Sequence, residues 1–201
     1  MGVDLGALTA MAVFSFVLGV SPGPNNTAVL TLSGRFGVKG AVPHLWGMVV
    51  GLTAMVVAMA TGLGAFFATY PAVYEVLKYV GFAYVLYMAW GIYRAALPEP
   101  GREESPRGTT VVKASLFQLV NPKAWIVIAT YVTAYVPAGL GVPGALVAAV
   151  VFVLATMPGA AVWVALGRLV GRFLSSPRAQ KIFTTVMALA LVASMIPALF
   201  I

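Results

Sequence analysis

The chain has 201 residues, 61% of them hydrophobic and only 8% charged, with a net charge of +7 and a mean hydropathy of +0.99. Soluble domains carry about 25% charged residues, so this composition excludes a water-soluble globule and describes an integral membrane protein. The absence of cysteine removes thiol–disulfide carriage and thiolate metal sites, and one histidine with five acids is poor material for a metal centre.

The chain opens on an uncharged run from Leu5 to Gly34, interrupted by Ser21-Pro22-Gly23-Pro24-Asn25-Asn26. The four residues before it carry no basic group, so the run reads as a retained span and not a cleaved signal. Proline lacks the backbone N–H and clashes with the preceding turn, so a Pro-Gly-Pro stretch breaks a helix. Freed backbone groups persist within a bilayer only where protein or a wet cavity satisfies them.

A short basic loop is expected over Arg35–Lys39, then a second span over about 41–68, a turn at Tyr70-Pro71, and a third span over about 77–97. The stretch from Pro98 to Thr110 is the one strongly hydrophilic segment and reads as a solvated linker. A fourth span over about 113–135 is interrupted at Asn121-Pro122, a fifth covers about 144–168, and a sixth about 179–200.

Six spans place both termini on one side. Arg35, Lys39, Arg94, Arg102, Arg107, Lys113, Arg168, Arg172, Arg178 and Lys181 fall in or beside the odd-numbered loops, and only Lys78 on the opposite face. Basic residues mark the cytoplasmic side, so the odd loops are expected inside and both termini outside. The positive charge is thus a topology signal, and no nucleic-acid partner is expected. The expected fold is all-α: one transmembrane domain, residues 1–201, made of two inverted three-helix repeats (1–97 and 113–201) joined by a cytoplasmic linker at 98–112. Helices 1 and 4, the first of each repeat, are each broken at proline. Interrupted helices in corresponding positions point to a transport site.

The candidate substrate-binding residues are Pro22, Gly23, Pro24, Asn25, Asn26, Asn121, Pro122 and Lys123. Lys123 follows Lys113 by ten residues, or about 15 Å along a straight helix, which puts its ammonium near mid-membrane. A buried cation there marks a pathway; the competing reading starts the span at Pro122 and leaves Lys123 in an interfacial first turn. Asn25, Asn26 and Asn121 offer donors and an acceptor that suit a zwitterion, or else cap a helix. His44 reads as an interfacial histidine, Glu75 and Lys78 as a surface i,i+3 pair, and the Gly19/Gly23, Gly47/Gly51 and Gly167/Gly171 spacings as close helix packing. No metal, cofactor or enzymatic machinery is expected: no phosphate-binding loop and no nucleophile–base pair is visible.

SPGPN at 21–25, Gly37-x-x-Gly40, His44-x-x-Gly47-x-x-x-Gly51, LKYVGFAYVLYMAWGIYRA at 77–95 and LVNPKAW at 119–125 together resemble the lysine exporter (LysE/RhtB) family of amino-acid efflux proteins. The resemblance covers essentially the whole chain. It implies export of amino acids or small derivatives, driven by the proton gradient, across the cytoplasmic membrane of a prokaryote. The partners implied are a small amino acid and the lipid bilayer; a homodimer stays open. Cation or metal efflux and a non-transporting membrane scaffold are the alternatives.

Overall fold

In the computed structural model, residues 5–94, 110–136, 141–174 and 176–196 are described; the hydrophilic linker and both termini lie outside these. All elements among them are helical: α1 (Leu5–Val20), α2 (Pro24–Ala58), a π-turn (Met59–Leu63), α3 (Gly64–Thr69), α4 (Pro71–Arg94), α5 (Val111–Val120), α6 (Pro122–Tyr135), α7 (Gly141–Gly171) and α8 (Pro177–Ala193). Three stretches are long and apolar enough to cross a membrane: Pro24–Thr69, Pro71–Arg94 and Gly141–Gly171; the bent α5–α6 pair makes a fourth if taken as one span. The outer faces of the helices carry large apolar side chains, among them Val13, Trp46, Val76, Tyr87, Leu154 and Leu189, each at least half exposed.

The helix ends follow from local chemistry. Proline opens α2, α6 and α8, where its missing N–H costs nothing because the first turn has no acceptor for it. Thr110 caps α5 by accepting from the Lys113 N–H at 3.2 Å, and Ser176 caps α8 through the Ala179 N–H at 3.2 Å. Asn121, directly before a proline, is extended, and Tyr70, likewise before a proline, has left helical geometry at φ −125° and ψ 68°, as the steric clash with the proline ring favours.

The expected basic loop over Arg35–Lys39 is replaced by a reversal at one residue. Gly37 alone leaves helical geometry, at φ 68° and ψ −171°. Before it, α2 follows α7: Leu30 and Ser33 abut Gly167, and Gly34 abuts Gly171. After it the order inverts: Val38 shares a groove with Arg168 and Arg172, and Met48 and Leu52 share a cavity with Phe152. The backbone there has left-handed φ, and glycine is the residue that adopts it without strain, so the chain turns back without a loop.

The main core lies between α1, α2, α6 and α7, around Met48, Met55, Ile128, Tyr131 and Phe152. A smaller one, with Val85, Phe117 and Leu191, joins α4, α5 and α8. Glycines set the closest approaches. A Cβ on Gly47 would lie 2.2 Å from Ala114, and one on Gly159 2.3 Å from the backbone of Gly19. The Gly47/Gly51 and Gly167/Gly171 pairs are packing surfaces.

Candidate functional site

The site begins where α1 stops. Ser21, Pro22 and Gly23 separate α1 from α2, and the carbonyls of the last α1 turn lose their helical donors. Three side chains serve the break, two of them at those carbonyls. Asn26, buried, donates through Nδ2 to the Gly19 carbonyl at 2.8 Å and the Ser21 carbonyl at 2.7 Å. Trp163 Nε1 donates to the Val20 carbonyl at 3.2 Å. Lys123 donates through Nζ to Ser21 Oγ at 3.1 Å and to the Pro22 carbonyl. The second break mirrors this need: Trp125 Nε1 reaches the Leu119 carbonyl at 2.7 Å.

Lys123 reaches the first break by a route that straight-helix counting misses. α5 and α6 meet at 72°, so ten residues from Lys113 do not translate into depth. Lys123 sits in the first turn of α6, as the interfacial reading has it, yet its ammonium is held against Ser21 and Pro22. A better gauge of depth is α7, which runs uninterrupted for 31 residues with Thr156 at its middle. Thr156 lines the same cavity as Lys123 and is about 22 Å from either end of its helix at 1.5 Å per residue.

That cavity, of about 60 Å³, lies between the two breaks. Ser21, Gly23, Pro24, Asn25, Asn26, Asn121, Lys123 and Thr156 form its polar wall; Leu52, Val127, Ile128 and Phe152 form its apolar one. Pro22 contributes its carbonyl to Lys123 and no wall, and buried Pro122 packs toward Gly81 of α4. Among the described residues, no carboxylate lines the cavity. Its electrostatics are those of one ammonium and the first turns of α2 and α6, both positive ends of helix dipoles. A handful of waters fits such a space. Asn121 is 1% exposed and its Oδ1 has no partner among the described residues.

Asn25 caps nothing: the N-cap of α2 is Gly23 and makes no side-chain bond. Instead Asn25 Nδ2 donates to Gln118 Oε1 at 2.8 Å, and Gln118 Nε2 donates back to Asn25 Oδ1 at 3.0 Å. His44 Nε2 lies 3.3 Å from the same Asn25 oxygen. The interfacial reading of His44 is therefore corrected: it is 2% exposed and packed on Phe117, because its amide partner lies inside the bundle. Gln118 was not anticipated; the signal was one amide in the uncharged, mostly apolar ASLFQLV. Lys78 is corrected likewise: it pairs with Glu75 at 2.9 Å, but its side chain is 6% exposed while that of Glu75 is 49% exposed, so only the acid is at the surface. No group of three metal-ligating side chains occurs among the described residues.

A family model described as LysE type translocator matches residues 16–195. The chain is 32% identical to a homoserine/homoserine lactone efflux protein of Salmonella typhimurium over 60% of each chain. It is 32% identical to a leucine efflux protein of Salmonella choleraesuis, over 51% of this chain and 50% of the relative. A cysteine/O-acetylserine efflux protein of Salmonella choleraesuis is 29% identical over 58% of each chain. The matched stretches thus span about half to three fifths of these relatives. No solved structure matches. With both proline breaks inside the matched region, the chain belongs to the family of LysE type translocators.

Proposed function

We propose that the chain is a secondary active exporter of small, uncharged amino acids or their derivatives across a prokaryotic cytoplasmic membrane. One observation carries this reading: a lysine ammonium held at mid-bundle by a hydroxyl and a carbonyl, with no carboxylate among the described residues lining its cavity. A buried cation without a fixed counter-ion suits an anion that arrives and leaves. Lys123 and the α2 amides receive the substrate carboxylate, and the Asn121 oxygen receives its ammonium. Leu52, Ile128 and Phe152 face the side chain. A second cation on the substrate would meet Lys123 unscreened, which favours neutral side chains; the relatives named for homoserine, leucine and cysteine efflux fit that preference.

The six-span, inverted-repeat reading is part of the proposal. Counting the reversal at Gly37 as the end of one span and the start of the next, and adding α8, gives six. The packing supports the repeat: α1 lies on α7 through Gly19 and Thr156, as the returning arm of α2 lies on α5 through Gly51 and Gln118. Basic residues gather at one end, where Lys181 donates to the Tyr93 carbonyl at 3.2 Å and Arg168 and Arg172 flank Val38. That end is cytoplasmic and both termini are outside. Alternating access arises from one repeat rocking against the other, driven by protons.

The test is efflux of radiolabelled amino acids from vesicles containing the purified protein, with an imposed pH gradient. Accumulation or release of neutral amino acids that stops with a protonophore is expected. Protein-independent fluxes for the whole panel would overturn the proposal.

A further inference from the structure

We propose that the groove between the returning arm of α2 and the last four turns of α7 is a binding site for an anionic phospholipid. The groove has a volume of about 630 Å³, ten times that of the central cavity. Leu45 of α2 and Met157, Ala161 and Val164 of α7 form its floor and walls, and Arg168 and Arg172 stand at its end. The α7 residues recur every three or four positions, so they form one continuous stripe on that helix. From Met157 to Arg172 the stripe is about 22 Å long at 1.5 Å per residue, somewhat more than one leaflet's hydrocarbon depth of about 15 Å. An acyl chain has the length and chemistry to fill it.

The two guanidinium groups select the headgroup. Arg168 and Arg172 are i,i+4 neighbours, both exposed, and neither is in an ion pair among the described residues. Each presents a planar fork of donors suited to a phosphate diester. A zwitterionic lipid brings its own cation to the same place, whereas phosphatidylglycerol brings the negative charge alone. Basic pockets between membrane helices on the cytoplasmic side hold anionic headgroups in this way. This assignment does not depend on what the central cavity transports.

Native mass spectrometry of the purified full-length protein, with phosphatidylglycerol and phosphatidylcholine in competition, tests it. Phosphatidylglycerol is expected to be retained preferentially and to raise the melting temperature by several degrees. The R168Q/R172Q double variant should lose the preference by about 30-fold, the order expected for two cationic contacts to a headgroup. Ala161→Trp, which fills the groove and leaves the charges in place, should reduce retention of lipid as well. The R94Q/R178Q variant, with the same loss of charge at the same end, should retain the preference. Equal retention of both lipids by the wild type would overturn the proposal, as would equal loss in the two double variants. Full stabilisation by inorganic phosphate alone would show a simple anion site, and a dimer broken by Ala161→Trp whatever the lipid would show that a second copy fills the groove; either result overturns it.

Discussion

Lys123 lies directly over Gly23: a Cβ added to that glycine would stand 2.9 Å from the Lys123 nitrogen and 3.0 Å from its Cδ. Gly23 is extended, with φ 179°, so its backbone tolerates any residue, and only the lysine forbids one. Gly23→Ala should therefore leave the fold nearly intact, since a flexible side chain can swing aside. It should draw the ammonium off Ser21 and Pro22 and lower efflux. A melting temperature near that of the wild type with impaired transport is the expected pair of results; normal transport would show that the position of Lys123 is not critical.

Lys123→Met removes the desolvation cost of a charge and should fold at least as well as the wild type. Loss of a charged hydrogen bond to carboxylate, worth about 1.5–3 kcal/mol, should weaken substrate binding by about 10- to 100-fold. Lys123→Arg should rescue only in part, because a planar fork does not reproduce a point charge. Binding isotherms and initial efflux rates for the three proteins check this. Normal efflux by the methionine variant would make Lys123 a structural tie between the two breaks.

Asn25 and Gln118 exchange two hydrogen bonds across 93 residues of sequence. Replacing either with leucine strands its partner in a buried setting, at about 1–3 kcal/mol. The double replacement leaves no orphan between them and should cost less than the sum. A double-mutant cycle on thermal or denaturant unfolding measures the coupling; additive costs would show that the pair contributes little to stability.

Gly81 and Gly91 lie on the same helix and make opposite predictions. A Cβ on Gly81 would fall 2.0 Å from the Val120 carbonyl and 2.8 Å from the Pro122 ring, both rigid, whereas one on Gly91 meets nothing within 4 Å. Gly81→Ala should destabilise by about 1–3 kcal/mol through overpacking. Gly91→Ala should be neutral or stabilising by up to about 1 kcal/mol, from helix propensity. Melting temperatures of the two variants decide it, and equal values would show that α4 does not hold the second break.

The chain has no cysteine, so single cysteines report orientation cleanly. With the basic end inside, an impermeant thiol reagent added to intact cells should label Tyr70→Cys and leave Arg178→Cys unlabelled until the membrane is opened. The reverse pattern would invert the topology.

Composition alone makes the chain a membrane protein, and prolines at 22, 24 and 122 mark where the described helices end and restart, because a missing N–H is written directly in the sequence. What sequence could not convey was direction after a break. The route from Lys113 to Lys123 looked like a depth and is a corner, since helix rise becomes depth only where the axis stays straight. The role of Gln118 depends on a partner in the other half of the chain. Lys78 and His44 resemble surface residues by type, and only the packing of neighbouring helices shows them to be buried. Gly81 stood within a conspicuous motif, but the backbone it makes room for is about 40 residues away.

The indole ties at the two breaks also give the protein its own optical reporters. Trp125 and Trp163 donate to the carbonyls at which α5 and α1 stop, while Trp46 and Trp90 are 59% and 55% exposed on the outer face. With those outer two replaced by phenylalanine, and excitation kept beyond the tyrosine band, tryptophan emission would arise from the breaks alone. Each remaining fluorophore reads the polarity and hydrogen bonding of one interrupted helix, so movement at either break is recorded without attaching a label.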